Sequence, residues 1–178
     1  MTAEQPIAAE APLVFLPRPS SAPWWILGFG LVLALNTVGL GLVIATRLPL
    51  APSAQLVVGA VGGILPAVPV FLLALIPRRI RYEVHASRLT LRAPLIRYEI
   101  PLAEIEKVER LDLKISLIAS FRLPGLALGG IYYLDVGTVR MCSTRAAQGV
   151  LLIHVGKAQY GCSPADEPGF VAAISRRA

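Results

Sequence analysis

The chain has 178 residues, of which 55% are apolar and only 16% are charged. Because soluble domains carry about a quarter charged residues, this composition argues against a wholly soluble protein and favours membrane segments joined to one small domain. The net charge of +6 arises entirely after Ile76. The two cysteines, Cys142 and Cys162, form neither a disulfide framework nor a metal-ligand spacing, and they suit a reducing compartment.

Two long uncharged stretches follow an Ala- and Pro-rich tail, residues 1–22, which we expect to be disordered because it is poor in core-forming residues. The stretches run from 24 to 45 and from 54 to 76. As helices, each would be about 33 Å long and could cross a hydrocarbon core about 30 Å thick. The loop between them, TRLPLAPS, is short. The sequence therefore predicts a transmembrane helical hairpin over residues 23–77, with both chain ends on one side of the membrane.

Several residues within the two spans predict how the helices pack. Gly59 and Gly63 have a spacing that allows close helix contact, either with the first span, which we favour, or in a dimer. Pro66 and Pro69 are expected to bend the second span. Asn36 lies in the middle of the first span and could hydrogen-bond across the hairpin. Because neither span holds an ionisable residue, the sequence does not predict a transport role.

The placement of arginines predicts the orientation of the hairpin. Arg78, Arg79 and Arg81 directly follow the second span, whereas the loop holds only Arg47. By the positive-inside rule, this is a multi-pass protein of the cell membrane whose N-terminus and C-terminal domain are cytoplasmic. The three arginines are also candidate ligands of anionic lipid headgroups, at about 1 kcal/mol each near the surface. They can set the topology, bind lipid, or do both.

After residue 77, apolar residues recur at every second position, which is typical of half-buried strands. The stretch IRYEV begins this pattern, and short alternating stretches separated by turns continue it. Such an arrangement predicts a small antiparallel sandwich or barrel. The last stretch, CSPADEPGFVAAISRRA, predicts one helix, because Ser163 and Asp166 fit a capping box and an apolar face follows.

Three stretches of this second half resemble a known family. They are IRYEVHASRLTLR with YEIPLAEIEKVERL, then LPGLALGGIYYLDVGTVRMCST, then VLLIHVGKAQYGCSPADEPGFVAAI. In this order, after two apolar spans, they resemble the bacterial pleckstrin-homology (PH-like) family in a membrane-anchored form. The resemblance implies that residues 78–178 form an antiparallel β-barrel of about seven strands with a C-terminal capping helix. With the hairpin, this is an α+β protein.

The same resemblance implies no catalytic residues. Eukaryotic relatives often bind phosphoinositides through a basic first strand–turn–strand, but the corresponding turn here, HAS, is short and weakly basic. The sequence also lacks nucleotide-binding and nucleophile-elbow motifs. His85 and His154 stand alone in alternating stretches, Asp112 and Asp135 lack an evident acid–base partner, and capping explains Ser163. We therefore expect no enzyme activity, no cofactor, no metal site and no nucleic-acid partner.

Two functions remain open. The first is a non-enzymatic binding or scaffold module, anchored at the membrane and facing the cytoplasm, that contacts anionic lipid, a protein partner or a second copy. The second is an accessory subunit of a membrane enzyme or transporter complex that acts through the transmembrane hairpin. The strands begin within about three residues of Pro77, a reach of only about 10 Å, or roughly one Debye length at physiological salt. Arginines at this junction are therefore expected to lie near the inner leaflet.

Overall fold

The computed structural model describes residues 11–47, 51–116 and 122–177. They form two compact units. One unit, Ser20–Arg78, is helical. The other combines the described residues up to Pro19 with those from Arg79 onward, and it is built from strands and one helix. We call the first the helical unit and the second the strand unit.

The helical unit begins with one long apolar helix, α1 (Ala22–Ala45). Within the described ranges, α1 alone is long and apolar enough to cross a membrane, by length and composition. The stretch predicted as the second span is not one helix but three pieces. They are α2 (Pro52–Ile64), a short 3-10 helix (Leu65–Ala67) and α3 (Val68–Leu73). The break coincides with Pro66 and Pro69, because proline lacks the backbone donor that a continuous helix needs. The predicted bend is therefore confirmed, and the second apolar stretch is not one continuous helix.

The helical unit has two arms, of which the first is α1 and the second runs from α2 to α3. The two arms pack against each other through glycines. A Cβ atom added to Gly41 in α1 would lie 2.6 Å from the backbone oxygen of Gly59 in α2. A Cβ atom added to Gly30 would lie 3.0 Å from the ring of Phe71 in α3. Because residues early in α1 meet α3 and residues late in α1 meet α2, the arms are antiparallel. The structure thus confirms the favoured prediction that Gly59 contacts the first span.

The side chains of α1 are apolar and largely exposed. Trp24 and Trp25 at its start are 78% and 63% exposed. Asn36 donates a hydrogen bond of 2.8 Å to the backbone oxygen of Val32, in its own helix and not across the hairpin. An exposed helix that is apolar all round needs an apolar solvent or partner. The burial pattern of α1 therefore differs from that of a core helix in a soluble protein.

The strand unit contains ten strands in its described part, followed by one helix. In chain order they are β1 (Leu13–Phe15), β2 (Arg81–Val84), β3 (Arg88–Ala93), β4 (Ile96–Pro101), β5 (Lys107–Leu111), β6 (Arg122–Leu123), β7 (Leu126–Tyr133), β8 (Gly137–Ser143), β9 (Val150–Val155), β10 (Ala158–Cys162) and α4 (Glu167–Arg177). The first sheet has the order β1–β2–β3–β4, and the second has the order β5–β9–β10–β8–β7–β6. Neighbours are antiparallel except β8 and β10, which are parallel.

The predicted antiparallel β-barrel of about seven strands differs from the structure in two respects. The strands form two separate ladders, and the described residues contain ten strands. The chain leaves the first sheet at Pro101, which cannot donate a backbone hydrogen bond, and passes through a short 3-10 helix at Leu102–Glu104. It then enters the second sheet, where β5 pairs with β9 and not with β4. The predicted α+β class and C-terminal helix are confirmed.

The core of the strand unit combines alternate residues of both sheets with one face of α4. Side chains from β2, β3 and β4 are buried, as alternation predicts, and so are Phe170, Ala173 and Ile174 of α4. A second cluster of buried residues comes from the second sheet and its loops. It contains Leu113, Ala127, Ile131, Tyr133, Val139, Met141, Val150 and Leu152.

Part of the tail that was predicted to be disordered forms β1. This strand pairs with β2, and Phe15 lies opposite Tyr82. The Phe15 ring also packs edge-on against Phe170 of α4, with ring centroids 5.3 Å apart. The prediction is wrong here because the short Leu–Val–Phe run finds both an open sheet edge and an apolar helix face. Residues 1–10 of the tail lie outside the described residues.

Polar contacts also hold the tail in the strand unit. The Arg18 guanidinium lies 2.8 Å from the carboxylate of Glu167, and the Arg18 carbonyl accepts a hydrogen bond of 2.9 Å from Thr144 Oγ1. Thr144 donates its backbone N–H to Ser163 Oγ over 3.0 Å, and Ser143 Oγ is also 3.0 Å from that hydroxyl. The contacts among Ser143, Thr144 and Ser163 are buried and those of Arg18 are partly buried, so together they fix the tail against β8 and the end of β10.

The cap of α4 differs from the predicted one. Ser163 was expected to begin the helix, but its hydroxyl belongs to the network just described. Asp166 takes the capping role, because its Oδ1 accepts a hydrogen bond of 3.0 Å from the backbone N–H of Gly169. The helix therefore starts at Glu167, four residues after the serine.

Candidate functional site

A row of arginines crosses the first sheet at one level. Arg81 of β2 lies directly opposite Arg92 of β3, and Arg92 lies opposite Arg97 of β4. All three are exposed. Residues directly opposite each other in a sheet have Cβ atoms about 4.5–5.5 Å apart, and like charges in such positions are destabilising. This arginine row therefore favours an external anion that offsets the repulsion.

A cavity of about 550 Å³ lies beside the arginine row. Its lining residues are Arg79, Arg81, Glu83, Arg92, Ala93 and Pro94. Three guanidinium groups outnumber the single carboxylate, so the cavity carries a net positive charge at neutral pH. Its size is within the range of small-ligand sites, about 300–1,000 Å³.

The arginines differ in whether they have a partner. Arg97 Nη2 lies 2.6 Å from a carboxylate oxygen of Glu99, so its charge is offset within the sheet. Arg79, Arg81 and Arg92 form no salt bridge with any residue that the structure describes. The three cations that line the cavity are thus available to an external anion. A guanidinium group presents its donors in a fork that matches two oxygens of a phosphate or carboxylate.

Two residues farther along the strands, at the next level on the same face of the sheet, acidic residues replace the arginines. There, Glu83 of β2 lies opposite Thr90 of β3, and Thr90 lies opposite Glu99 of β4. Carboxylates thus flank the arginine row on the side away from the β3–β4 turn. Glu83 is 3.6 Å from His85. An anion is therefore attracted to the end of the sheet that carries the arginines and repelled farther along it.

Two of the three arginines predicted from the sequence line the cavity, and the third does not. Arg79 and Arg81 line the cavity, whereas Arg78 belongs to the helical unit. Arg92 was not predicted as a site residue, nor was Arg97. The missed signal is their symmetric placement about a two-residue turn, since residues equally distant from such a turn face each other across a β-hairpin.

The histidine and acidic residues considered for catalysis have structural partners. His154 Nε2 lies 2.8 Å from Glu109 Oε1, across β9 and β5. The pKa of Glu109 is lowered, first by its hydrogen bond with Lys107. Asp112 accepts a backbone hydrogen bond and so does Asp135. Among the described residues, no group of three His, Cys, Asp or Glu side chains could hold a metal ion.

The cysteines are free thiols inside the strand unit. Both Cys142 and Cys162 are buried. Burial raises the pKa of Cys142 to about 12 and raises that of Cys162 well above its ordinary value. Because the thiolate is the nucleophilic form, both thiols are unreactive at neutral pH in the folded unit.

Comparison with known proteins identifies the strand unit. No curated protein and no solved structure matches the chain. The family model of the bacterial PH domain matches residues 80–178, which confirms the family read from the second half of the sequence and does not extend to the apolar stretches before it. That range contains every described strand except β1, and it contains α4. Since the match covers more than half of the chain, the protein belongs to the bacterial PH domain family.

Proposed function

We propose that this protein is a non-enzymatic, membrane-anchored binding module whose arginine-lined cavity contacts anionic lipid headgroups on the cytoplasmic side. The observation that carries the proposal is the set of three arginines at the cavity, none of which has a salt-bridge partner among the described residues. Membership of the bacterial PH domain family supports a binding or scaffold role.

Membrane anchoring is supported by the apolar character of the helical unit. α1 passes the length and composition criteria for a membrane-spanning helix. The second arm, from Pro52 to Leu73, would be about 33 Å long at the α-helical rise, which also suffices for a crossing. Its break at the prolines is compatible with a membrane, because a neighbouring helix can shield the freed backbone groups.

The pairing of β1 with β2 supports two crossings over one. β1 precedes α1 in the chain and β2 follows α3, yet the two strands form one ladder. Paired strands must lie on the same side of a membrane. If the segment between them enters the membrane, an even number of crossings fits this pairing, which favours two crossings over a single crossing by α1 alone. The excess of arginine after residue 77 supports a cytoplasmic location for that side, by the positive-inside rule.

Cysteine labelling in intact cells tests this topology. We expect Ser53→Cys, in the first turn of α2 and next to the loop between the arms, to react with a membrane-impermeant maleimide added outside. Val14→Cys in β1 and Ser175→Cys in α4 should react only after the membrane is permeabilised. All three positions are exposed, and the native thiols are buried. Labelling of Ser175→Cys from outside would overturn the orientation, and opposite results at residues 14 and 175 would overturn the two crossings.

Replacing the cavity arginines tests lipid binding. The full chain in neutral detergent is titrated with short-chain phosphatidylglycerol or phosphatidylcholine. Three arginines near a charged surface contribute about 1 kcal/mol each, so the combined R79Q, R81Q and R92Q variant should bind phosphatidylglycerol about a hundredfold more weakly. Binding by the native chain should also weaken with added salt.

The matched control is Arg176→Gln, at an exposed arginine in the last turn of α4 that does not line the cavity. It should leave the affinity for phosphatidylglycerol unchanged. Equal affinity for the two lipids in the native chain, or equal losses in the control and the triple variant, would show that the cavity does not bind anionic headgroups.

A further inference from the structure

The turn between β3 and β4 presents an apolar tip next to the arginine row. Ala93 and Ile96 are the last paired residues, so Pro94 and Leu95 alone form the turn. The Leu95 side chain is 70% exposed. Pro94 is also exposed and belongs to the cavity lining. A leucine at this position stabilises no core, which makes it a candidate for contact with something outside the chain.

Polarity changes in a fixed order along this β-hairpin. The tip is apolar, the paired Arg92 and Arg97 lie behind it, and the level of Glu99 follows. Leu95 is two to three residues from the arginine pair, or about 7–10 Å along a strand. That distance is similar to the depth of about 5–10 Å at which apolar side chains of interfacial segments lie. Acyl chains, phosphate groups and water follow one another in the same order at a membrane surface.

We infer that the β3–β4 turn inserts Leu95 into the membrane interface while the arginine row binds the phosphate groups of surrounding anionic lipids. This inference rests on the proposed function, and it names the bilayer as the source of the phosphate. A soluble phosphate would satisfy the guanidinium groups equally well, but it would leave Leu95 in water. The exposed leucine therefore favours a lipid in a bilayer over a free phosphate ester.

A second turn in the same unit also has an exposed leucine, but it has no adjacent arginine row. Leu134, between β7 and β8, is 65% exposed. Its neighbour Asp135 is acidic, and the strand pairs nearest that turn are Tyr133 with Gly137 and Tyr132 with Thr138. Lys114 is next to this turn, but the two nearest strand pairs hold no arginine, so an exposed leucine there has much less to gain from anionic lipid than Leu95. Leu134 is thus a matched control for Leu95.

Depth-dependent fluorescence quenching tests the insertion. The full chain carrying Leu95→Cys or Leu134→Cys is labelled with a bimane probe and placed in nanodiscs that contain phosphatidylglycerol and nitroxide-bearing lipids. The native thiols do not interfere, because both are buried. We expect quenching at residue 95 to be several-fold stronger than at residue 134. In phosphatidylcholine nanodiscs, with or without inorganic phosphate, the probe at residue 95 should remain unquenched.

Each result separates the two proposals. If the probe at residue 95 is not quenched although the triple arginine variant still binds phosphatidylglycerol more weakly, the insertion is wrong and headgroup binding stands. If the arginine variant also binds normally, both are wrong. Equal quenching at residues 95 and 134 would show that the β3–β4 turn is not the inserted element. Loss of quenching on addition of inorganic phosphate, at ionic strength matched with chloride, would overturn the lipid as the source.

Discussion

Replacing Phe170 with alanine is expected to lower the free energy of unfolding of the strand unit by about 3–5 kcal/mol, the usual range for a fully buried aromatic ring. The Phe170 side chain has no exposed surface. Its ring packs against Phe15 at 5.3 Å and Tyr82 at 5.9 Å between centroids, so it joins β1, β2 and α4. Truncation would leave a cavity that these three elements cannot fill without shifting from their present positions.

Labelling of the native cysteines measures the unfolding of the strand unit in the full chain. Cys142 and Cys162 are buried in the strand unit, so their rate of labelling as urea is increased reports its unfolding. Leu95→Ala is the control, because substitutions at exposed positions usually change stability by less than about 0.5 kcal/mol. If Phe170→Ala unfolds at the same urea concentration as the native chain, α4 does not pack against the sheet as described.

Replacing Gly41 with alanine is expected to destabilise the helical unit by about 1–3 kcal/mol, as overpacking of a close contact typically does. The added methyl group would lie 2.6 Å from the backbone oxygen of Gly59. A backbone atom cannot rotate away as a side chain can, so α1 and α2 must move apart. The lost contact between the arms then adds to the cost.

Gly39→Ala is a matched control two residues away in the same helix. A Cβ atom there would meet nothing within 4 Å, and alanine has the higher helix propensity. The control should be neutral or slightly stabilising. Energy transfer from the tryptophans at the start of α1 to an acceptor on Leu72→Cys, followed during titration with SDS, measures separation of the arms. Identical curves for the two variants would contradict the glycine contact.

Local patterns predicted the parts of the fold that depend on local chemistry. Alternation from Ile80 onward identified β2 and β3, because one face of each strand is buried. The apolar face ending in two arginines identified α4. The run of arginines after the second apolar stretch identified Arg79 and Arg81, two of the three cations at the cavity.

Features that depend on distant pairing could not be read from the sequence. β1 is a three-residue strand whose stability comes from β2 and Phe170, both far along the chain, and its own composition resembles that of a disordered tail. The separation of the sheets depends on which strand β5 pairs with, which alternation does not specify. The cavity depends on register, because a shift of one residue would turn Arg92 to the other face.

β1 leaves the ribosome before α1, but its partner β2 is synthesised only after α3. For the whole of that interval the segment Leu13–Phe15 has no sheet to join. Closing a flexible loop of the intervening length would cost about 4 kcal/mol in chain entropy. A helical unit whose two arms are already packed antiparallel brings the ends of the intervening segment together and removes most of that cost. The pairing of β1 with β2 therefore becomes much more favourable once the arms of the helical unit have packed together, so the first sheet is completed late in folding.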